Sequence, residues 1–195
     1  MFVDPKESFK KRTVTFEDIP VCEYDKTVAD EKDNYSKEDF IGMYADMVAI
    51  REFEEMLMDI KKKGIYNGKE FTYPGPSHLG LGEEATAVGQ AYNLGVNDFI
   101  FGTHRSHHEV IAKAMSAIKK LSDEELTKIM SEFLGGKIYN IVKEHTQAAS
   151  VKELAREFLI YGAMAEIFAR DTGFNKGFGG SMHAFFLPFG IYPNN

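Results

Sequence analysis

The chain has 195 residues, 44% of them hydrophobic, with 16 Phe and a formal charge of −7. That apolar content can bury a core, which excludes wholesale disorder, and the acidic balance argues against a nucleic-acid backbone as the main partner, because neutralising phosphates needs clustered Lys and Arg. No apolar run reaches membrane-spanning length, no signal-peptide core opens the sequence, and the single cysteine, Cys22, excludes an internal disulfide, so a cytoplasmic protein is expected.

Residues 1–35 are charged and weakly patterned, with Pro5 and Pro20 interrupting them. They read as an N-terminal arm carrying short apolar pieces at 14–16 and 19–22, and Cys22 within it reads as an ordinary thiol. The first strong helix signal is Ser36, a capping residue with Asp39 three positions on, flanked by Tyr35 and Phe40 at the staple positions. Phe40, Met43, Met47, Ile50, Leu57 and Ile60 follow at helical spacing, and Lys61, Lys62 and Lys63 before Gly64 suit a C-terminus. Residues 67–76 read as a Gly- and Pro-punctuated loop. A second helix, rich in small residues, is expected over 82–94, with Gly95 ending it, and 98–101 reads as a short strand. Three later helix starts carry the pattern Ser-x-x-Glu, at Ser106, Ser122 and Ser150. They predict helices to about Lys120, to Leu134 and to Arg170, the last with a stripe at Leu154, Phe158, Tyr161, Met164 or Ala165, and Phe168. The segment 184–195 is apolar and aromatic and leads to the expectation of a truncated or cleaved chain, with exposed apolar surface over 185–192 that favours oligomers.

Chemistry concentrates in the segments 75–85, 101–108 and 176–183, which hold five of the six histidines. Thr103-His-Arg-Ser-His-His108 leaves a strand and enters a helix, where backbone N–H groups and the helix dipole favour an anion. Arg105 adds a planar cationic fork suited to phosphate oxygens, and His104 a further donor. Its alternative is an internal ion pair for Arg105 with surface histidines. A zinc site is not supported, because no HExxH and no paired-Cys spacing accompanies His104, His107 and His108. Gly177-Phe-Gly179-Gly180-Ser-Met-His183 lacks the context of a dinucleotide fingerprint and the Walker pattern, leaving a loop that brings backbone close to a ligand or that is plain surface. His78, presented by a Gly/Pro turn, is a candidate acid, base or donor near neutral pH.

Taken together the segments resemble the α subunit of the thiamine-diphosphate-dependent 2-oxo acid dehydrogenases, the first component of the pyruvate, branched-chain and acetoin dehydrogenase complexes. The resemblance rests on His78-Leu-x-x-Gly82-x-Glu84-Ala85-x-x-Val88-Gly89, then His104-Arg105-x-His107, then Gly177-x-Gly-Gly-Ser-Met-His183, in the family's order and spacing. It implies an α/β fold, of which residues 36–195 would be the N-terminal, helix-dominated portion, with a helical insertion near 121–149. It further implies that Arg105 holds the cofactor diphosphate, that His104 replaces a family tyrosine beside it, that His78 and His107 are catalytic, and that Gly179, Gly180, Ser181 and His183 line the cofactor channel. Thiamine diphosphate and Mg²⁺ are the implied cofactors. No metal ligand is assigned within this chain, since the family's metal-binding segment is expected beyond residue 195. The implied partners are a β-type subunit or fused β domain, the lipoyl domain of an acyltransferase and a 2-oxo acid or acetoin substrate, within an oligomer and without nucleic acid or membrane. The activity implied is oxidative decarboxylation with acyl transfer to a lipoyl arm, with this piece inactive alone. A non-catalytic helical module of the same ancestry and a transketolase-like transferase are the alternatives.

Overall fold

A computed structural model of the chain describes residues 4–21, 23–72, 75–76, 78–180 and 183–192. Cys22 and Ser181 lie outside the described residues. The chain divides into two compact units, Met1–Ser36 and Lys37–Asn195.

The first unit contains one short helix, α1 (Pro5–Ser8), capped by the Asp4 side chain, which accepts from the Lys6 N–H at 2.9 Å. The pieces at 14–16 and 19–21 form no regular structure. Further along, Glu31 gathers Tyr24, Asn34 and Lys26, while Asp30 accepts from the Thr27 N–H and hydroxyl. These are local side-chain turns of the kind that Asp, Asn and Thr form in place of regular structure.

In the second unit, α2 (Lys37–Lys63) begins one residue after Ser36 and ends at the lysine run, where cations suit the helix dipole. It buries Ile50, Phe53, Leu57 and Ile60, and with them Asp46 and Glu54. The loop expected over 67–76 starts instead as a tight hairpin, β1 (Ile65–Tyr66) with β2 (Lys69–Glu70), turning on Asn67 and Gly68, both at positive φ. The small-residue helix is shorter than expected, α3 (Glu84–Ala91). Then come β3 (Ile100–Phe101), α4 (His107–Lys120), α5 (Asp123–Glu132), α6 (Lys137–His145) and α7 (Val151–Ile167). The last strand, β4 (Ile191–Tyr192), pairs in parallel with β3. The unit is dominated by helices, and among the described residues none is long and apolar enough to cross a membrane.

Helix α4 is the centre. Every residue from Val110 to Ile118 is buried, including Lys113, whose ammonium donates to the carbonyls of Gly95 (2.7 Å) and Phe189 (2.5 Å). Burial disfavours the charged lysine, so its pKa falls, and the two carbonyls supply the hydrogen bonds that a buried ammonium needs. Around α4 pack α2, α3 and α7; α5 and α6 lie on α7. Lys119 ties α4 to α2 through Asp46 at 2.5 Å.

Of the three capping boxes, only that at Ser122 forms in full. Ser106 takes backbone angles near φ 8, ψ −11 rather than the extended conformation that a cap requires, so Glu109 turns back to accept from the Thr103 N–H at 2.5 Å. Ser150 caps Glu153, whose carboxylate accepts from the Ala149 N–H rather than from that of Ser150. Of the expected stripe, Phe158, Ala165 and Phe168 are buried and Leu154, Tyr161 and Met164 are partly buried against the core, and the buried face of α7 is wider, adding Ala155, Leu159, Gly162, Ala163, Glu166 and Ile167. The exposed apolar surface expected over 185–192 is also largely absent. Phe186, Phe189 and Ile191 are fully buried, Phe186 stacking on Phe174 with ring centroids 4.7 Å apart. Leu187 alone there is exposed.

Candidate functional site

The His78 loop is set against the start of α4 by two devices. Gly80 packs against the buried His108 ring, where a Cβ would come within 2.2 Å of Nδ1, so only glycine permits the approach. His108 Nε2 is 3.0 Å from Glu83 Oε2. Glu84, 5% exposed, takes Arg51 of α2 in a fork, Nε to Oε1 at 2.8 Å and Nη2 to Oε2 at 3.0 Å, and also accepts from the Gly82 N–H. The Arg51 hydrogen bonds hold the Glu84 carboxyl at about 2, well below its ordinary 4.5.

So placed, half-buried His78 meets exposed His104 with ring centroids 4.4 Å apart. Burial first, then the fields of His104, Lys61, Arg105 and His107, lower the pKa of His78 below its ordinary 6.5. The ring is thereby favoured in its neutral form, able to donate at one nitrogen and accept at the other. Arg105 is exposed at the entry to α4 and forms no ion pair with the described residues. The internal carboxylate pairing weighed for it does not occur among them.

His107 faces inward. Its Nδ1 is 3.3 and 3.5 Å from the two oxygens of Glu54, a fully buried carboxylate on α2, and Phe53 meets the ring edge-on at 6.3 Å. A carboxylate at that nitrogen favours the tautomer protonated there. With Gly180 and Ala184, His107 lines a narrow apolar recess that Phe53, Val110 and Ala163 also wall. The first and third motif segments therefore meet the second: His78 at His104, Gly180 at His107.

The glycine loop is built around another fully buried carboxylate, Glu166 of α7. It accepts from the N–H groups of Asn175 (2.6 Å), Gly177 (3.0 Å) and Gly179 (2.6 Å). Asn175 in turn donates from its side chain to the His183 carbonyl. Phe178 projects from the loop with 91% of its surface exposed.

Sequence reasoning missed Arg51, Glu54 and Glu166. The signal for Glu54 was positional: it lies four residues after Ile50 and three before Leu57, on the apolar stripe. Among the described residues no group of three or more His, Cys, Asp or Glu could hold a metal ion.

Comparison with known proteins agrees on the kind of chain this is. It is 30% identical over 148 residues, 76% of its length, to the α subunit of acetoin:2,6-dichlorophenolindophenol oxidoreductase from Bacillus subtilis. It is 30% identical over 151 residues to the pyruvate dehydrogenase E1 component α subunit of Rhizobium meliloti, and 26% over 155 residues to that of Porphyra purpurea. These matches cover 29–30% of the relatives' own length. The relatives it matches are α subunits of the pyruvate and acetoin dehydrogenase type, and the chain is homologous to under a third of their length. No family model matches it, and no solved structure matches it significantly.

Proposed function

We propose that the chain forms the diphosphate-facing part of a thiamine-diphosphate-dependent dehydrogenase α subunit, acting in the oxidative decarboxylation of a 2-oxo acid or the cleavage of acetoin. In this reading residues 36–195 are the helix-dominated portion of an α/β cofactor-binding domain, residues 121–149 are an insertion, and residues 1–35 are an arm. The observation that carries the reading is the convergence of His78, His104 and Arg105 at the start of α4, beside the recess that His107 shares with Gly180. Homology to the named dehydrogenase subunits supports it.

The residues fit the anionic end of such a cofactor. Arg105 is exposed with its fork turned to no described carboxylate, and a guanidinium matches phosphate oxygens bidentately. His104 and the first N–H groups of α4 add donors. The recess itself is too narrow for the cofactor's rings, which in this reading lie against a β-type partner. When bound, thiamine diphosphate supplies a thiazolium as the electron sink for decarboxylation. The chain's own residues bind and orient: Arg105 and His104 fix the diphosphate, and Gly179, Gly180 and His183 border the channel, as does Ser181, which lies outside the described residues. His78, favoured in its neutral form, and His107, oriented by Glu54, handle protons near the reacting atoms. In this reading a β-type partner completes the site and a lipoyl domain takes the acyl group.

Nitrogen-15 NMR titration of the chain with magnesium thiamine diphosphate, run beside thiamine lacking phosphates, tests the reading. Shifts confined to residues 103–108 and 177–183, weak in affinity and absent with thiamine, are expected. Scattered shifts, none at all, or equal response to thiamine would overturn it.

A further inference from the structure

We infer that Glu166 is a positioning residue, the template on which the glycine loop is wound and through which Gly180 and the His183 backbone are presented to the ligand; this rests on the function proposed above. The placement of Glu166 is not explained by α7 itself. A carboxylate in the last turn of a helix opposes the helix dipole, and a fully buried one forgoes water. Both penalties are offset by the loop. Alternate N–H groups, those of Asn175, Gly177 and Gly179, converge on the two carboxylate oxygens, Oε2 taking the first two and Oε1 the third. Bonds from N–H to an ionised acceptor are the strong class.

The glycines follow from this template. A Cβ at Gly173 would fall 2.4 Å from Oε2, and one at Gly179 would fall 3.0 Å from Oε1 and 2.3 Å from the His183 carbonyl. At Gly173 and Gly179 the close approach leaves no room for a Cβ. The Asn175 side chain also donates to the His183 carbonyl, so one buried carboxylate and one amide hold the backbone at 175, 177, 179 and 183. A plain surface loop has no need of such an anchor, whereas a loop that must hold its backbone against a ligand does.

The test is Glu166→Gln. A carboxamide offers one acceptor oxygen and sets an NH₂ against an N–H, so at least one of the bonds is lost. In the wild-type chain the amides of Gly177 and Gly179 should exchange with solvent at least about tenfold more slowly than in an open loop, as expected for amides bonded in folded structure. In E166Q these amide protons should shift upfield and lose that protection, while amides in the middle of α4 keep theirs. The response of residues 177–183 to magnesium thiamine diphosphate should weaken about fivefold or more. Unprotected Gly177 and Gly179 amides in the wild type, a measurement that needs no variant to fold, would overturn the template. A wild-type titration that E166Q leaves unchanged overturns the positioning role alone. A wild type that does not respond to the cofactor at all overturns the functional reading beneath it.

Discussion

Replacing Glu84 by Gln isolates the charge that anchors the His78 loop to α2. The carboxylate is 5% exposed and takes the Arg51 fork and the Gly82 N–H, which together, Arg51 foremost, lower its pKa from 4.5 to about 2. A carboxyl whose folded pKa is depressed contributes stability that is fully present above the unfolded value and is lost as pH falls through the folded one. The window here runs from about 4.5 down to about 2. At about 1.36 kcal/mol per pH unit, that span sets an upper limit of about 3.4 kcal/mol. Arg51 is 45% exposed, so solvent screens the pair and about 1–2 kcal/mol is the reasonable expectation. Urea denaturation of wild type and E84Q at neutral pH should therefore differ by that amount, with the wild type more stable. The gap should narrow steadily once the pH drops below 4.5. A difference that stays constant down to about pH 3 would show that charge is not its source. No difference at neutral pH would show that the fork contributes nothing net.

Other outcomes follow from the same loop. Gly80→Ala drives a methyl to within 2.2 Å of the His108 ring, and such overpacking should cost about 1–3 kcal/mol in a denaturant titration. The displaced loop should also carry His78 away from His104, so the His78 pKa followed by NMR should move back toward 6.5. In the wild type that titration should fall below 6.5, and His104→Ala should recover only part of the shift, because burial is the larger cause. Full recovery in the alanine variant would make the neighbouring imidazole, not burial, the controlling influence.

The helices were legible where capping and periodicity agreed. Ser36 with the stripe from Phe40 to Ile60 placed α2 within a residue, and Ser122 with Glu125 formed the box that its spacing announced. Helix α6 escaped although Ile138, Ile141 and Val142 stand at helical spacing, because it is only nine residues long and starts from a double glycine with no side-chain cap. The hairpin at Asn67 and Gly68 escaped for a similar reason: strands of two residues cannot show alternation, although the Asn-Gly pair was itself the signal. Ser106 failed as a cap because the turn that presents His104 and Arg105 claims its backbone. For the site, the cationic and histidine members were readable from spacing, since their residue types are uncommon. Their carboxylate supports were not. Glu166 looks like a surface charge in a sequence rich in acidic residues until the rotation of α7 is known, and Glu54 is betrayed only by its place on the apolar stripe of α2; both are fully buried.

If Arg105 marks a diphosphate site, wild type and Arg105→Gln must differ in affinity for magnesium thiamine diphosphate in the same NMR titration. Hydrogen bonds to charged groups are worth about 1.5–3 kcal/mol, so the variant should bind about 10- to 100-fold more weakly with its fold intact. Equal affinity in the two proteins would show that Arg105 does not hold the diphosphate.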